Sequence, residues 1–324
     1  MTSGMAPPVR IAITGSSGLY GRTLIREIRR SLPHAVVLGV DREASTTDPP
    51  DHMWQGDILS GEVCDAVVRF APDTLVHLAY AVQPGRDLAA MRRVNVEGTR
   101  AMLETARAVP VSRLLVASSA TVYGAWPDNP PRCDETTPVR PLSDYYYSAH
   151  KGIVERLLRE FTEAHPEMAV CWTRPAIICG PGVTNFLSEY FRSMPFLGLP
   201  DGRDTPLQFV HHDDVARATL AMLMAGATGP FNVAPDDALT HREIARILRV
   251  PAVPLPYAVM AFLGSLWWTL RLPWLATPPG LVGYVRHPWV VTSARLSREL
   301  GFEFEFSAVE AFASLLERPE TDAP

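Results

Sequence analysis

Short apolar runs alternate with segments of helical periodicity through the first half of the chain. The apolar runs, which have the length of buried strands, are Val9–Thr14, Ala35–Val40, Thr74–Leu78 and Arg113–Ala117. The segments of helical spacing are Arg22–Arg30, a helix from about Gly61, about Asp87–Ala108, and a helix opened by Asp144. Strands and helices alternating in this way predict an α/β fold with a doubly wound parallel sheet, whose ligands bind at the carboxyl ends of the strands.

Later elements are shorter and less regular. We expect a helix that starts at Asp213 and Asp214, as capping residues, and runs to about Met224. Two further helices are expected over Ser293–Leu300 and over Ser307–Leu316, the second with Ser307 as its cap. We therefore expect one domain over residues 8–174 and a smaller, mostly helical lobe over 175–318. Strands near 208–210 and 231–233 are expected to complete the sheet, so that the lobe interleaves with it.

Residues 251–270 carry no charge. Prolines 251, 254 and 256 shorten the helix that this stretch predicts, so that it begins near Tyr257 and ends before Arg271. About 14 residues are short for a membrane span. The helix could be buried in the lobe, form an apolar pocket or lid, or dock on a membrane or partner; we expect the first.

A glycine-rich loop joins the first strand to the first helix. Its spacing is Gly15-x-x-Gly18-x-x-Gly21, in which Gly15 allows a tight turn, Gly18 a close approach to a pyrophosphate, and Gly21 close helix packing. Asp41 ends the second strand, 20 residues past Gly21, where an acid binds adenosine ribose hydroxyls. This predicts NAD over NADP, although the adjacent Arg42 can accommodate a 2′-phosphate. A plain glycine turn and a strand-end aspartate are the alternatives.

A second motif places Tyr147 four residues before Lys151, the only lysine among 30 Lys and Arg residues. Residues i and i+4 share a helix face, so phenol and ammonium can meet. Moving a tyrosine pKa from ~10 to ~7 takes about 4 kcal/mol. A cation at ~4 Å supplies roughly that amount at an effective dielectric of ~20. The pair therefore predicts a general acid/base, against the alternative of an ordinary amphipathic helix.

Composition excludes several other classes of protein. The net charge is −5, with both signs mixed along the chain, so we expect no nucleic-acid partner. The four cysteines are scattered without metal-ligand spacing, and we expect no metal and a reducing cytoplasm. His211 and His212 are interpreted as structural. No apolar run precedes Val9, which predicts no signal peptide.

Further motifs follow in order: Gly56-Asp57-Ile58, His77-Leu78-Ala79, Asn95–Thr99, Ser118–Gly124, Tyr147–Lys151 with Glu155, Arg174-Pro175 to Gly182, Phe209–Val215 and Phe231-Asn232-Val233. Together they resemble the extended short-chain dehydrogenases/reductases, or NAD-dependent epimerase/dehydratase family, from about residue 9 to 315. The resemblance implies a Rossmann-like domain, an NAD-dependent oxidoreductase, and a homodimer through the helices Asp87–Ala108 and Asp144–Ala164.

The resemblance also implies roles for individual residues. Ser119 would hydrogen-bond the reacting hydroxyl or carbonyl, Tyr147 would exchange its proton, and Lys151 would hold the nicotinamide ribose and depress the tyrosine pKa. Expected cofactor contacts are Gly15, Ser17, Gly18, Leu19, Asp41, Arg42, Asp57, Ile58, Leu78, Ala79, Tyr80, Asn95, Tyr147, Lys151 and Pro175; Asp57 either caps the next helix or holds the adenine edge. Expected substrate contacts are Ser119, Thr121, Asn185 and Arg203.

The motifs also bear on the reaction. Dehydratases of the family carry Asp-Glu where this chain has Ala120-Thr121, which disfavours elimination. The Ser-Ala-Thr-Val-Tyr-Gly turn looks most like the sugar-nucleotide 4-epimerases, so epimerisation of a sugar nucleotide is our first expectation. Leu207-Gln208 replaces the Arg-Asp that grips the diphosphate there, and Cys179 replaces a tyrosine. The alternatives are a ketoreductase or alcohol dehydrogenase for a more apolar, sterol- or polyketide-like substrate, and a non-catalytic dinucleotide sensor.

Overall fold

The apolar runs form strands in the computed structural model, which describes residues 6–270, 278 and 280–317. The strands are β1 Arg10–Thr14, β2 Val36–Asp41, β3 His52–Gln55, β4 Thr74–His77, β5 Arg113–Ala117, β6 Ala169–Pro175, β7 Ile177–Cys179, β8 Leu197–Pro200, β9 Pro206–Leu207, β10 Phe209–His211, β11 Gly229–Val233, β12 Leu239–Thr240 and β13 Ala252–Leu255. Within these ranges, seven strands form a parallel sheet in the order β3-β2-β1-β4-β5-β6-β11.

Helices form at each predicted position, and two further helices, Phe186–Ser193 and His241–Leu248, were not predicted. The helices are α1 Leu19–Ser31, α2 Gly61–Phe70, α3 Leu88–Arg92, α4 Gly98–Ala108, α5 Tyr146–Ala164, α6 Phe186–Ser193, α7 His212–Ala225, α8 His241–Leu248, α9 Tyr257–Leu270, α10 Ala294–Leu300 and α11 Ala308–Ser314. A π-helical turn, Arg93–Glu97, joins α3 to α4, and 3-10 turns cover Ala120–Tyr123 and Leu281–Val285. The helix α5 begins two residues after the predicted Asp144.

Strand order reverses next to β1, because β2 and β3 lie on one side of it and β4, β5, β6 and β11 on the other. Successive side chains point to opposite faces of a strand. Ile11 and Ile13 accordingly pack in one core cluster with α1 and α7, whereas Ala12 packs in the other with α2, α4 and α5. This is the predicted doubly wound Rossmann-like fold, and the reversal places the crevice for a ligand between the ends of β1 and β4.

One predicted sheet strand lies elsewhere. The strand β11 joins the sheet beside β6, as expected for residues near 231–233. The prediction for 208–210 is wrong, because β10 pairs with β7 in a separate two-stranded sheet. The strand β7 follows β6 after Ala176 and leaves the large sheet, and β10 pairs with it in parallel, Phe209 opposite Ile177. Two further small sheets, β12-β9 and β13-β8, lie in the same half of the chain.

The uncharged stretch forms α9 at the predicted position, but the expectation that this helix is buried is wrong. None of its residues is fully buried, and five of its large apolar side chains are exposed. The helix packs on β8 and the 3-10 turn over Leu281–Val285 rather than entering the core. Among the described helices, none is both long enough and apolar enough to cross a bilayer.

A buried ion pair joins α5 to the sheet. The Glu155 carboxylate and the Arg174 guanidinium are both fully buried, and Arg174 Nε donates to Glu155 Oε1 at 2.8 Å. Ser118 Oγ, just beyond β5, donates to the same carboxylate oxygen at 2.7 Å. Arg174 also donates to the Tyr123 hydroxyl at 2.6 Å, and Tyr123 donates to Asn232 at 2.8 Å. The network thus connects α5 with the ends of β5, β6 and β11.

We predict that Glu155→Gln lowers the free energy of unfolding by about 3–5 kcal/mol, because it leaves the buried Arg174 charge without a counter-ion. Urea titration followed by circular dichroism measures the change. Glu160→Gln on the same helix removes an exposed carboxylate 3.9 Å from Arg156, and should change stability by no more than about 0.5 kcal/mol. Equal effects of the two variants would contradict a stabilising role for the buried pair.

Candidate active site

A cavity of about 1350 Å³ opens at the carboxyl ends of β1, β2, β4, β5 and β6. It extends under α6 and α9, so one continuous space joins the glycine loop to the C-terminal half of the chain. The sequence-predicted residues that line it are Gly15, Ser17, Gly18, Leu19, Asp41, Arg42, Asp57, Ile58, Leu78, Ala79, Tyr80, Ser119, Thr121, Tyr147, Lys151, Pro175 and Asn185. Residues far apart in the chain therefore meet around this one space.

The glycine loop has no room for side chains at two of its positions. Gly15 has φ +75°, and a Cβ there would lie 2.6 Å from the Ala79 amide nitrogen. A Cβ on Gly21 would lie 2.3 Å from the Gly15 carbonyl oxygen. Gly18 precedes α1 with an ordinary φ of −67°. The loop thus brings the N-terminus of α1, with its unpaired amides, to the cavity, as an anionic group such as a diphosphate requires.

Asp41, the last residue of β2, lies beside the glycine loop. Its carboxylate accepts hydrogen bonds from the Ser17 amide at 3.0 Å and from the Arg42 amide at 2.7 Å. Asp57 lies on the same rim, but its carboxylate accepts from the Leu59 amide at 2.9 Å. The suggestion that Asp57 caps α2 is therefore wrong, since Ser60 occupies the N-cap position.

Two predicted contact residues lie outside the cavity lining. Asn95 is fully buried in the π-helical turn, where its side-chain oxygen accepts from the Ala81 amide at 2.7 Å and its nitrogen donates to the Ala81 carbonyl at 3.3 Å. Asn95 therefore holds the loop that follows β4 in place without itself lining the cavity. Arg203 is exposed in the turn between β8 and β9, so it faces solvent rather than a ligand in the cavity. Asn185 does line the cavity, but its side chain caps α6.

Ser119, Tyr147 and Lys151 converge where β5 ends. The Ser119 oxygen accepts from the Thr121 amide at 3.2 Å and from the Thr121 hydroxyl at 3.0 Å. The Ser119 hydroxyl acts on the Tyr147 phenol, since it lowers the pKa of that group. The Lys151 ammonium donates to the Ala117 carbonyl at 2.6 Å, and lies 3.4 Å from the centre of the Tyr80 ring and 5.7 Å from that of Tyr147. All three side chains therefore line the same end of the cavity, with Lys151 held by the end of β5 and by the Tyr80 ring.

Burial dominates the electrostatics of this group. It raises the pKa of Tyr147 to about 12, and the hydrogen bond with Ser119 only partly opposes the shift. It lowers the pKa of Lys151 to about 7, against the attraction of Glu155. The expectation that Lys151 brings the tyrosine pKa toward neutrality does not hold in this geometry. The ammonium is held by the Ala117 carbonyl and the Tyr80 ring, and desolvation opposes the tyrosinate.

Sequence reasoning missed an aromatic cluster around Tyr147. The Tyr145 ring lies 5.8 Å from that of Tyr147, and the Tyr284 ring lies 5.6 Å from that of Tyr145. Tyr284, from the 3-10 turn over Leu281–Val285, donates to the Thr121 carbonyl at 2.6 Å. The run of three tyrosines at 145–147 is a sequence signal from which Tyr145 could have been predicted, whereas no sequence pattern indicates Tyr284.

The far half of the cavity, the half away from the glycine loop, is mostly apolar, although Asn185, Glu189 and His241 also line it. Its walls include Phe186, Phe191, Leu197, Leu207, Met260 and Trp267. Gln208, where the epimerases place a diphosphate-binding pair, is buried; its amide donates to the Pro235 carbonyl at 2.6 Å and accepts from the Val291 amide at 2.9 Å. Among the described lining residues, the only arginines are Arg22 and Arg42, both near the glycine loop. The far half thus offers little to a charged ligand.

The adjacent His211, His212 and Asp213 place potential metal ligand atoms within 4.8 Å of one another. Protein contacts account for all three side chains. His211 stacks on Phe306 with ring centres 3.9 Å apart and accepts from the Asp213 amide, so it caps α7. Asp213 pairs with Arg26, and His212 pairs with Asp213 at 3.2 Å. The expectation that the two aspartates cap α7 is therefore wrong, because His211 does so.

A glycine loop and a serine–tyrosine–lysine group facing one crevice of a parallel sheet define a dinucleotide-dependent enzyme of the short-chain dehydrogenase/reductase type. Residues 11–234 match the NAD dependent epimerase/dehydratase family, and the chain belongs to that family. The enzyme is therefore NAD-dependent, and the residues of the glycine loop fit that cofactor: a side chain on Gly15 or Gly21 would collide with the surrounding backbone.

Relatives of this chain include proteins with quite different descriptions. An uncharacterized protein of Mycobacterium tuberculosis is 28% identical over 315 residues, or 94% of this chain and 82% of that protein. A 3-diazoavenalumate denitrifying reductase of a Streptomyces species is 30% identical over 240 residues, or 71% of this chain and 77% of the reductase. Similarity to a named reductase at this level supports the family without fixing the substrate.

Solved structures agree on the fold. MoeE5 in complex with UDP-glucuronic acid and NAD has a TM-score of 0.73 at 24% identity, covering 94% of this chain and 97% of that chain. UDP-glucose 4-epimerase from Thermotoga maritima, with UDP-glucose, has a TM-score of 0.74 at 18% identity, covering 95% and 97%. These TM-scores and coverages establish a shared fold over nearly the whole chain, including the C-terminal half.

The low pKa of Lys151 predicts a pH dependence of stability. Between about pH 7 and its ordinary value of 10.5, the unfolded chain binds a proton that the folded chain does not. The penalty for burying the charge is therefore full below about pH 7 and shrinks as pH rises. Relative to Lys151→Met, wild-type stability should rise between pH 7 and pH 9.5, by at most about 1.4 kcal/mol per pH unit. Urea titrations of both proteins measure this difference, and a flat difference would contradict it.

The position of Asp41 predicts discrimination between NADH and NADPH. Asp41→Asn removes the charge that repels a 2′-phosphate, so the affinity for NADPH relative to NADH should rise about tenfold. Fluorescence titration with each reduced cofactor gives the ratio. Asp57→Asn, on the same rim, is the matched control and should leave the ratio unchanged. An unchanged ratio in Asp41→Asn would remove the ribose-binding role.

Proposed function

We propose that the protein transfers hydride between NAD and a secondary alcohol or ketone of an apolar small molecule, as a ketoreductase or alcohol dehydrogenase. The observation that carries this choice is the apolar far half of the cavity. A sugar diphosphate needs cations or many hydrogen-bond donors there, and the buried Gln208 amide already has protein partners. An apolar substrate needs neither, and gains by leaving water.

The residues near the glycine loop would hold the cofactor. Gly15 and Gly18 leave the backbone open to the diphosphate at the N-terminus of α1, Asp41 would bind the adenosine ribose, and Lys151 the second ribose. When bound, NAD accepts or supplies the hydride. The chain's own contribution is to orient the reacting carbon and to manage the proton.

The proton chemistry follows from hydrogen bonds already present. Ser119 accepts two hydrogen bonds from Thr121, so its own proton is available for Tyr147 or for a substrate oxygen. Burial raises the pKa of Tyr147 to about 12, which keeps the phenol protonated at neutral pH. A protonated phenol is suited to give its proton to the oxygen of a carbonyl that is being reduced. This favours the reductive direction.

Epimerisation of a sugar nucleotide, our first expectation, is the second candidate. The Ser119–Gly124 turn favours it, and so does the fold shared with the UDP-glucose 4-epimerase. The missing arginine before Phe209 and the exposed position of Arg203 count against it. A homodimer through the long helices and a cytoplasmic location stay predictions.

Tyr147→Phe should lower turnover by about 10²-fold or more, because general acid catalysis is lost. Affinity for NADH should stay within about twofold. Tyr146→Phe is the matched control: this neighbour donates to the Val82 carbonyl and lies outside the cavity lining. Lys151→Arg should also lower turnover, because a planar guanidinium does not replace a compact ammonium. Full activity of Tyr147→Phe would remove the proton-transfer role.

A substrate panel separates the two candidate reactions. With NADH, the protein should oxidise the cofactor stoichiometrically in the presence of bulky apolar ketones, and release NAD. UDP-glucose should give no UDP-galactose. The reverse result, interconversion of UDP-sugars without net NADH consumption, would establish the epimerase and reject the proposed reductase.

A further inference from the structure

Helix α9 presents an uncharged surface to the outside of the molecule. All of its 14 residues lack charge at neutral pH. Val259, Phe262, Leu266 and Leu270 are spaced by three, four and four residues, and therefore form one stripe along the helix. These side chains are exposed by 42%, 64%, 39% and 57%. We call these four residues the outer stripe.

The neighbouring face of the same helix belongs to the cavity wall. Met260, Leu263, Gly264 and Trp267 line the cavity. A single helix thus separates the apolar half of the cavity from the outside, and it is apolar on both surfaces. Leu263 belongs to both, because it lines the cavity and is still 47% exposed.

Each end of α9 carries an arginine packed on an aromatic ring. The Arg86 guanidinium lies 4.7 Å from the Trp268 ring centre and donates to the Trp268 carbonyl at 2.7 Å. The Arg286 guanidinium lies 4.2 Å from the Tyr257 ring centre and 3.8 Å from the Asp201 carboxylate. Tryptophan, tyrosine and arginine around an apolar segment are typical of the boundary between acyl chains and lipid headgroups. The charge of Arg86 also complements anionic headgroups, whereas that of Arg286 is balanced in part by Asp201.

The dimensions of the surface discriminate between possible occupants. Fourteen residues give a helix about 21 Å long, too short for a hydrocarbon core of about 30 Å. One face about 10 Å wide offers roughly 200 Å², whereas a stable dimer buries about 800 Å² per partner. A helix lying in the plane of a bilayer has no such requirement, because acyl chains cover whatever apolar surface it presents.

We propose that α9 docks the protein on the surface of a lipid bilayer, with the outer stripe among the acyl chains and Arg86 and Arg286 at the headgroups. The docked helix would set the apolar half of the cavity against the membrane, from which an apolar substrate could enter. Docking does not depend on the proposed reaction, whereas the route of entry rests on it.

The test is co-flotation of the full-length protein, loaded with NAD, with vesicles of phosphatidylcholine alone or mixed with phosphatidylglycerol. We expect binding to both, and tighter binding to the anionic vesicles. Phe262→Ser combined with Leu266→Ser should lower the vesicle partition coefficient by about tenfold or more. The control, Val68→Ser combined with Val309→Ser, changes side chains exposed by 41% and 44% on α2 and α11, and should bind vesicles like the wild type.

NADH affinity, measured by fluorescence, should be the same in all three proteins, since neither Phe262 nor Leu266 lines the cavity. Unchanged NADH affinity would show that the variants are folded, so that weaker flotation reports weaker binding to the vesicles. The proposal is overturned if the wild type fails to float with either vesicle, or if both double variants bind equally. It is also overturned if the α9 variant instead converts a dimer to a monomer in sedimentation analysis, which would identify a second copy as the occupant.

Discussion

The Glu155–Arg174 ion pair sets the geometry on which the cavity depends. Glu155 lies one turn after Lys151 and two turns after Tyr147, so whatever fixes its carboxylate also fixes their helix face. Arg174 and Ser118 hold that carboxylate from the sheet, immediately beside Ser119. Desolvation of two charges costs several kcal/mol per ion, and only close pairing with further hydrogen bonds offsets it. A shift of α5 relative to the strands would therefore leave a buried charge without its partner.

The same apolar environment governs the reacting groups. Burial pushes the pKa of Tyr147 up and that of Lys151 down, so the neutral form of each is favoured. Ser119 and Thr121 remain as a hydrogen-bonded polar pair in the lining of the cavity. A site of this kind retains a proton until an oxygen in the cavity develops negative charge. The cavity walls that include Leu207 and Trp267 are also apolar, so they provide a similar environment of low polarity for a bound ligand.

Local features of this protein could be predicted from its sequence, whereas tertiary partners could not. The strands β1, β2, β4, β5 and β11, the bounds of α9 and the glycine-loop crevice follow from periodicity and from residues close in the chain. The pairing of β10 with β7 joins segments about 30 residues apart in the chain, which no local pattern encodes. Asn95 has the residue type of a ligand contact, yet its partners come from a loop 14 residues away. The exposure of α9 was missed because an uncharged run looks the same in a core and on a surface.

The central claim is that hydride passes to the carbon of a carbonyl group bound beside Ser119 in this cavity, while Tyr147 gives its proton to the carbonyl oxygen. Deuterium labelling tests it most directly. The protein is supplied with NADH deuterated at nicotinamide C4 and a bulky apolar ketone, and the product is analysed by mass spectrometry. We predict deuterium on the new carbinol carbon from one of the two C4 positions, and labelling that is about 10²-fold slower or more with Tyr147→Phe. Absence of label in the alcohol with either deuterated position, or an undiminished rate of labelling in Tyr147→Phe, would contradict the account.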